Sequence, residues 1–251
     1  MLPKLYALSC GELTVPNAIL FAGAEGVARV PIPSYLIVHD KGMALFDSGY
    51  NPAVLSDPVD YLGADLDADG VHADQGDLIN NRLESAGFDP AKINFIINSH
   101  LHFDHAGGNA LLPNADLVVQ RREWAHVCSC GETLAYKPRD YATGQTVRQI
   151  DGEHDVFGDG TVVCVPTHGH TPGHQSLRVR TEAGECFLCG DACYMRRTLE
   201  EMALPGLLDD ADAMRESLTR IRAYQAAGSR IFFGHDPDFW ATLPRAPAPV
   251  A

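Results

Sequence analysis

The chain has 251 residues, 45% of them hydrophobic, and sets 19 basic side chains against 33 acidic ones for a formal charge of −14. That length can bury a sizeable core and favours a single domain spanning 1–251. The charge disfavours nucleic acid and anionic lipid as partners, and no stretch approaches the roughly 20 apolar residues that cross a bilayer.

In chain order, the first apolar run is Leu5 to Cys10 (LYALSC). It loosely has the look of a lipoprotein cleavage site, but a run of about five residues falls short of the roughly 7 to 15 of a secretory core. It reads instead as a first strand over 4–12. Cysteines at 10, 128, 130, 164, 186, 189 and 193 form an odd set without paired spacing, which predicts reduced thiols and a cytoplasmic location. Cys128-x-Cys130 is a weak metal signal that ordinary packing explains; Cys189 and Cys193 flank Asp191, where buried inert thiols are the default.

Strands are expected at 34–39 and 42–47, joined by the tight-turn signal Asp40-Lys41-Gly42. The hairpin ends in Asp47-Ser48-Gly49, where Asp47 either reaches a ligand histidine or simply closes a turn. Leu13–Pro33 and Asn51–Gly76 then read as long irregular connections of the kind that form lids, and Ile19, Leu20, Phe21, Tyr61 and Leu62 in them offer apolar surface to a substrate or cover the core. Within the second, Asp65-x-Asp67-x-Asp69-Gly70 imitates a calcium loop. Its twelfth position is Gly76 rather than glutamate, so a solvated acidic loop is the better reading.

Residues 77–86 have helical spacing, followed by strands 93–97 and 116–120 and a short helix from Arg122. The second half repeats this order loosely, with strands near 161–165, 176–181 and 185–189, a helix capped by Asp209 or Asp210 and running to about Ala227, and a strand at 230–233. The halves, about 1–125 and 155–243, suggest two sheets packed face to face with helices outside. Residues 244–251 (PRAPAPVA) read as a disordered tail.

The chemistry concentrates in Ser99–Gly108 (SHLHFDHAGG), directly after an apolar strand. His100, His102, Asp104 and His105 so close together repel when charged and are costly to bury unpaired, so the spacing makes sense around a cation. Further ligand types stand where later strands end: His170 in THGHTPGH, Asp191 in CGDACY and His235 in FFGHD. This set exceeds what one four-coordinate metal accepts, which implies two. His100, His102 and His170 go to the first and Asp104, His105 and His235 to the second, with Asp191 bridging because a carboxylate has two oxygens. Each metal then keeps room for water, as catalytic zinc does. Zn(II) is the expected ion, with Fe, Mn or Co as alternatives, and hydrolysis is the natural chemistry. His168 and His174 either support His170 or pack locally; His39, His72, His126 and His154 read as surface residues.

These motifs resemble the metallo-β-lactamase superfamily, and SHLHFDHAGGN, HTPGHQSL, DACY and FFGHD together resemble its N-acyl-homoserine lactonases. The resemblance implies an α+β fold, a four-layer αβ/βα sandwich of two mixed sheets with helices on the outer faces. It also implies a dinuclear zinc-type centre, and quorum quenching by opening of a homoserine lactone ring through attack of a bridging hydroxide. Carried over by position, Tyr194 stabilises the oxyanion and contacts the substrate, Asp104 relays a proton to the leaving oxygen, and Phe103 and residues around Leu204 to Leu207, Leu204 and Gly206 among them, line the approach for the acyl chain. The partner is thus a small acyl lactone, and a homodimer is compatible with the reading. Departures are His168, where proline is typical, and the two long connections. A hydrolase of another ester, thioester or lactone is the alternative on the same centre; a redox di-iron protein is disfavoured because its relatives carry glutamate where this chain has His102.

Overall fold

The alternation of apolar side chains along the strands builds the molecule in layers. In the computed structural model, which describes residues 1–63 and 70–251, the first sheet contains β1 (Lys4–Pro16), β2 (Val27–His39), β3 (Gly42–Phe46), β4 (Val71–His72), β5 (Ile93–Ile97), β6 (Asp116–Gln120) and β7 (Val147–Ile150). Their order across the sheet is β4-β1-β2-β3-β5-β6-β7, antiparallel from β4 to β3 and parallel from β3 to β7. A second sheet contains β8 (His154–Asp155), β9 (Val162–Pro166), β10 (Gln175–Thr181), β11 (Gly184–Leu188) and β12 (Arg230–Phe232), in the order β12-β11-β10-β9-β8. Both sheets are mixed, as expected.

The central strands are apolar on both faces because both faces are covered. Ile37, Phe46, Ile97 and Val118 point towards Cys164, Val165, Leu177 and Leu188 of the second sheet. Their neighbours Leu36, Leu45, Ile96 and Leu117 point the other way, onto Ile79, Leu83, Tyr61 and Leu62 of the covering helices. Outside the second sheet, the helix Ala211–Ala226 buries Met214, Leu218 and Ile221, and it is Asp210 that caps it by accepting from the backbone of Asp212 and Ala213.

Three expectations need correction. Leu13–Pro33 is not an irregular lid: β1 and β2 continue as a long hairpin, with Leu13 opposite Val30, joined through the short helix Asn17–Leu20. Pro16, Pro31 and Pro33 obscured this. Strand-breaking proline is tolerated here because β3 pairs with β2 only from Tyr35 onwards, so Pro31 and Pro33 have a partner on one side alone. Residues 244–251 are not loose either: Leu5 exchanges backbone hydrogen bonds with Ala251 and Val250, and Val250 is buried. His39 is buried rather than on the surface, stacked on Phe157 at 4.3 Å and bound to Asp159 at 2.9 Å. Asn51–Gly76 contains the short helices Ala53–Ser56 and Pro58–Leu62, and Tyr61 and Leu62 cover the core. The calcium-like run Asp65 to Asp69 lies outside the described residues.

Strand direction places the site. β3 and β5 run parallel in the first sheet; β9, β11 and β12 share one direction in the second, since β9 and β11 are each antiparallel to β10. Their carboxyl ends bear Asp47, His100–His105, His170, Asp191 and His235 in turn. Gln175 joins the two sheets beside them, its backbone N–H donating to Ser99 O at 2.8 Å and its side chain to Asn98 O at 2.9 Å.

Candidate metal centre

Every side chain assigned from the sequence as a metal ligand reaches one buried cluster. His170 Nε2 lies 3.2 Å from both His100 Nε2 and His102 Nδ1. Asp104, His105 and His235 form a neighbouring group, with His105 Nε2 3.5 Å and His235 Nε2 3.9 Å from Asp104 Oδ2. Asp191 stands between them. Its Oδ2 faces His170 Nε2 at 3.3 Å and His100 Nε2 at 3.8 Å, while its Oδ1 faces His105 Nε2 at 3.3 Å and His235 Nε2 at 3.0 Å.

The imidazoles are aimed from behind. His100 Nδ1 meets Ser99 Oγ at 2.9 Å, His105 Nδ1 meets Asp47 Oδ2 at 2.9 Å, His170 Nδ1 meets Leu207 O at 3.3 Å and His235 Nδ1 meets Pro31 O at 2.8 Å. An acceptor behind one ring nitrogen keeps the proton there and turns the other, with its lone pair, towards the centre. Asp47 also accepts from the backbone and hydroxyl of Ser99, at 2.7 and 2.8 Å, and adopts a φ of 61°. That left-handed backbone is unusual for a residue with a side chain, and it reflects how tightly Asp47 is held under His105.

The donor set fits a divalent metal centre. His105 Nε2 and Asp191 Oδ1 are buried and lack any hydrogen bond of acceptable geometry, a condition that costs about 1–3 kcal/mol per group unless something else satisfies it. Burial holds His100, His102 and His170 below the ordinary histidine pKa. Around His105 burial acts in the same direction, but the carboxylates of Asp191, Asp104 and Asp47 outweigh it and hold the pKa well above the ordinary value. A place that so favours a proton also favours a metal cation.

Above this cluster opens a cavity of about 120 Å³, walled by Leu13, Val15, Ile19, Leu20, Val30 and Leu207 and floored by His102, Asp104, Asp191 and His235. Phe103 and Tyr194 also line it, the Tyr194 hydroxyl 3.2 Å from His170 Nδ1. Burial and the charges of Asp191 and Asp104 push the phenol well above its ordinary pKa, so it remains a hydrogen-bond donor. Leu204 and Gly206 do not line this cavity. Leu204 packs on the inter-sheet core, and the Gly206 N–H donates to Ala18 O at 3.1 Å, tying the 204–207 segment to the hairpin tip; of that segment Leu207 lines the wall.

A family model described as the metallo-beta-lactamase superfamily matches residues 27–235, a span that contains the whole cluster. The chain belongs to the metallo-β-lactamase superfamily. Within this superfamily it is 32% identical to the N-acyl homoserine lactonase AttM of Azorhizobium caulinodans over 97% of each chain. It is 30% identical to the N-acyl homoserine lactonase AiiA of Bacillus thuringiensis subsp. kurstaki over 93% of each. The solved structure of an N-acyl homoserine lactone hydrolase, with the product N-hexanoyl-L-homoserine at its catalytic metal centre, matches with a TM-score of 0.89 at 27% identity, covering 100% of both chains. A B. thuringiensis AiiA variant with N-decanoyl-L-homoserine bound at the active site gives the same score, identity and coverage.

Sequence reasoning passed over one buried residue behind the cluster, Glu123, and left a second, His174, open. Glu123, in the helix Arg121–Cys130, carried a signal in its spacing, since it lies four residues before the buried Val127 on the same inward stripe. His174, left undecided, accepts the backbone N–H of Asp191 at 3.0 Å. Among the described residues no helix is long and apolar enough to cross a membrane.

Proposed function

We propose that the protein hydrolyses the ester bond of N-acyl homoserine lactones, acting as one domain in the cytoplasm with two Zn(II) per chain. His100, His102 and His170 would hold one ion and Asp104, His105 and His235 the other, with Asp191 shared. Such ions supply Lewis acidity and keep a water deprotonated near neutral pH. The observation that carries the reading is the two-faced placement of Asp191, with one oxygen towards each histidine group beneath an apolar cavity.

The chain's own residues account for the rest. The Tyr194 phenol, still protonated, donates to the carbonyl oxygen as negative charge grows on it. Asp104 lies at the cavity floor beside His105 and His235, where its carboxylate takes the proton left on the attacking oxygen and relays it to the departing ring oxygen, which leaves as an alcohol. Leu13, Val15, Ile19, Leu20 and Val30 take the acyl chain, which removes water from the reacting carbonyl and positions the ring.

Steady-state turnover of N-hexanoyl homoserine lactone beside a hexanoyl thioester tests the substrate assignment. The lactone is expected to be the better substrate by kcat/KM; turnover of the thioester alone would remove the lactonase reading and leave a thioesterase on the same centre.

A further inference from the structure

Glu123 is buried to 1% exposure, and both of its carboxylate oxygens are fully engaged. Oε1 accepts from the Leu101 N–H at 3.1 Å and the Tyr136 hydroxyl at 3.0 Å. Oε2 accepts from the Thr171 hydroxyl at 2.7 Å and the Gly173 N–H at 3.0 Å. Leu101 sits between His100 and His102, Thr171 follows His170, and the Tyr136 ring packs on the His102 ring with centroids 4.6 Å apart.

We infer that Glu123 is a positioning residue that assembles one half of the centre, holding together the two loops that carry His100, His102 and His170. Asp104, His105 and His235 have no bond to it; His105 is backed by Asp47 and His235 by Pro31 O. Glu123 thus bonds to the first half alone, whereas Asp47 serves both, meeting His105 directly and His100 through Ser99.

The surroundings are shaped for this contact. A Cβ on Gly173 would sit 2.1 Å from the Glu123 backbone nitrogen, so only glycine lets the His170 loop close onto the helix. Burial raises the Glu123 carboxyl pKa while the four donors pull it down, which marks a carboxylate held by hydrogen bonds rather than by a basic side chain. Two of those donors are backbone N–H groups, of Leu101 and Gly173, and neither can turn to accept. A glutamine at 123 therefore sets its own NH₂ against one of them, whichever way the amide is flipped.

This inference rests on the metal-centre reading and is independent of the substrate, so the test reads metal. Zn(II) is titrated into metal-free protein against a chromophoric chelator for the wild type and for Glu123→Gln, with His170→Ala and His235→Ala identifying which binding phase belongs to which half. Glu123→Gln should weaken the phase lost in His170→Ala by about ten- to a hundredfold, as removal of a supporting partner does, and leave the phase lost in His235→Ala essentially unchanged. Equal weakening of both phases, or none, would overturn the inference. Two phases absent from the wild type would instead sink the metal-centre reading itself. Should Glu123→Gln not fold, judged by circular dichroism, the double variant Tyr136→Phe, Thr171→Val decides: it keeps both backbone donors and should weaken the same phase by a smaller factor, and no weakening counts against the inference.

Discussion

The backbone N–H of Asp191 points at Nε2 of His174, 3.0 Å away, so the residue whose carboxylate stands between the two histidine groups is itself held by a buried imidazole. Because Nε2 accepts, the ring proton must lie on Nδ1. It donates to Thr167 Oγ1 at 2.9 Å, Thr167 donates to Ser176 Oγ at 2.8 Å, and Ser176 donates to Cys189 O at 2.9 Å. One directional chain thus fixes the Asp191 turn at Cys189 and at Asp191.

His174→Gln keeps an acceptor within reach of the Asp191 N–H, whereas His174→Leu orphans it. Metal analysis after dialysis should show near-normal zinc in His174→Gln and weakened retention in His174→Leu, by about tenfold in affinity. Equal retention in both would mean that the contact does not position Asp191.

Tyr194→Phe removes the proposed donor to the carbonyl oxygen and leaves the cavity wall in place. Lactone hydrolysis should lose up to about a hundredfold in kcat with KM changed far less. A rise in KM at constant kcat would assign Tyr194 to ground-state binding only.

The cavity wall predicts chain-length selection. Leu20 is buried on that wall, and Leu20→Phe should narrow it, raising KM for a decanoyl lactone by about tenfold while a butyryl lactone stays within about threefold. Equal effects on both substrates would place the acyl chain elsewhere.

Asp140 makes a prediction about stability. Its buried carboxylate accepts from Tyr61 Oη at 2.5 Å and Asn51 Nδ2 at 2.8 Å, and burial raises its pKa from 3.8 to about 6. A folded pKa above the unfolded one means that the fold binds the extra proton, so this group's contribution is greatest below about pH 4 and is lost as pH rises through 6. Urea unfolding of wild type and Asp140→Asn should therefore show the wild type gaining on the variant between pH 7 and pH 5. A pH-independent difference would contradict the assignment.

The candidate ligand cluster was legible because metal chemistry restricts residue type and spacing: His100, His102, Asp104 and His105 occupy one short segment, and His170, Asp191 and His235 each follow an apolar strand. Strands over 93–97 and 116–120 were legible from their unbroken apolar runs. The β1–β2 hairpin was hidden because Pro31 and Pro33 signal a break unless the one-sided pairing is known. Within 204–207 the sequence did not single out Leu207 as the residue in the wall, because the Gly206–Ala18 hydrogen bond that ties the segment down is a tertiary contact without local trace. Glu123 was missed for a similar reason: its donors come from Leu101, Tyr136, Thr171 and Gly173, which only the fold brings together.

The most direct test is to reconstitute metal-free protein with measured equivalents of Zn(II) while following N-hexanoyl homoserine lactone opening by the acid it releases. The account predicts no turnover without metal and a rise that ends at two ions per chain. A protein that binds two ions and leaves the lactone intact, or reaches full activity with one, would contradict it.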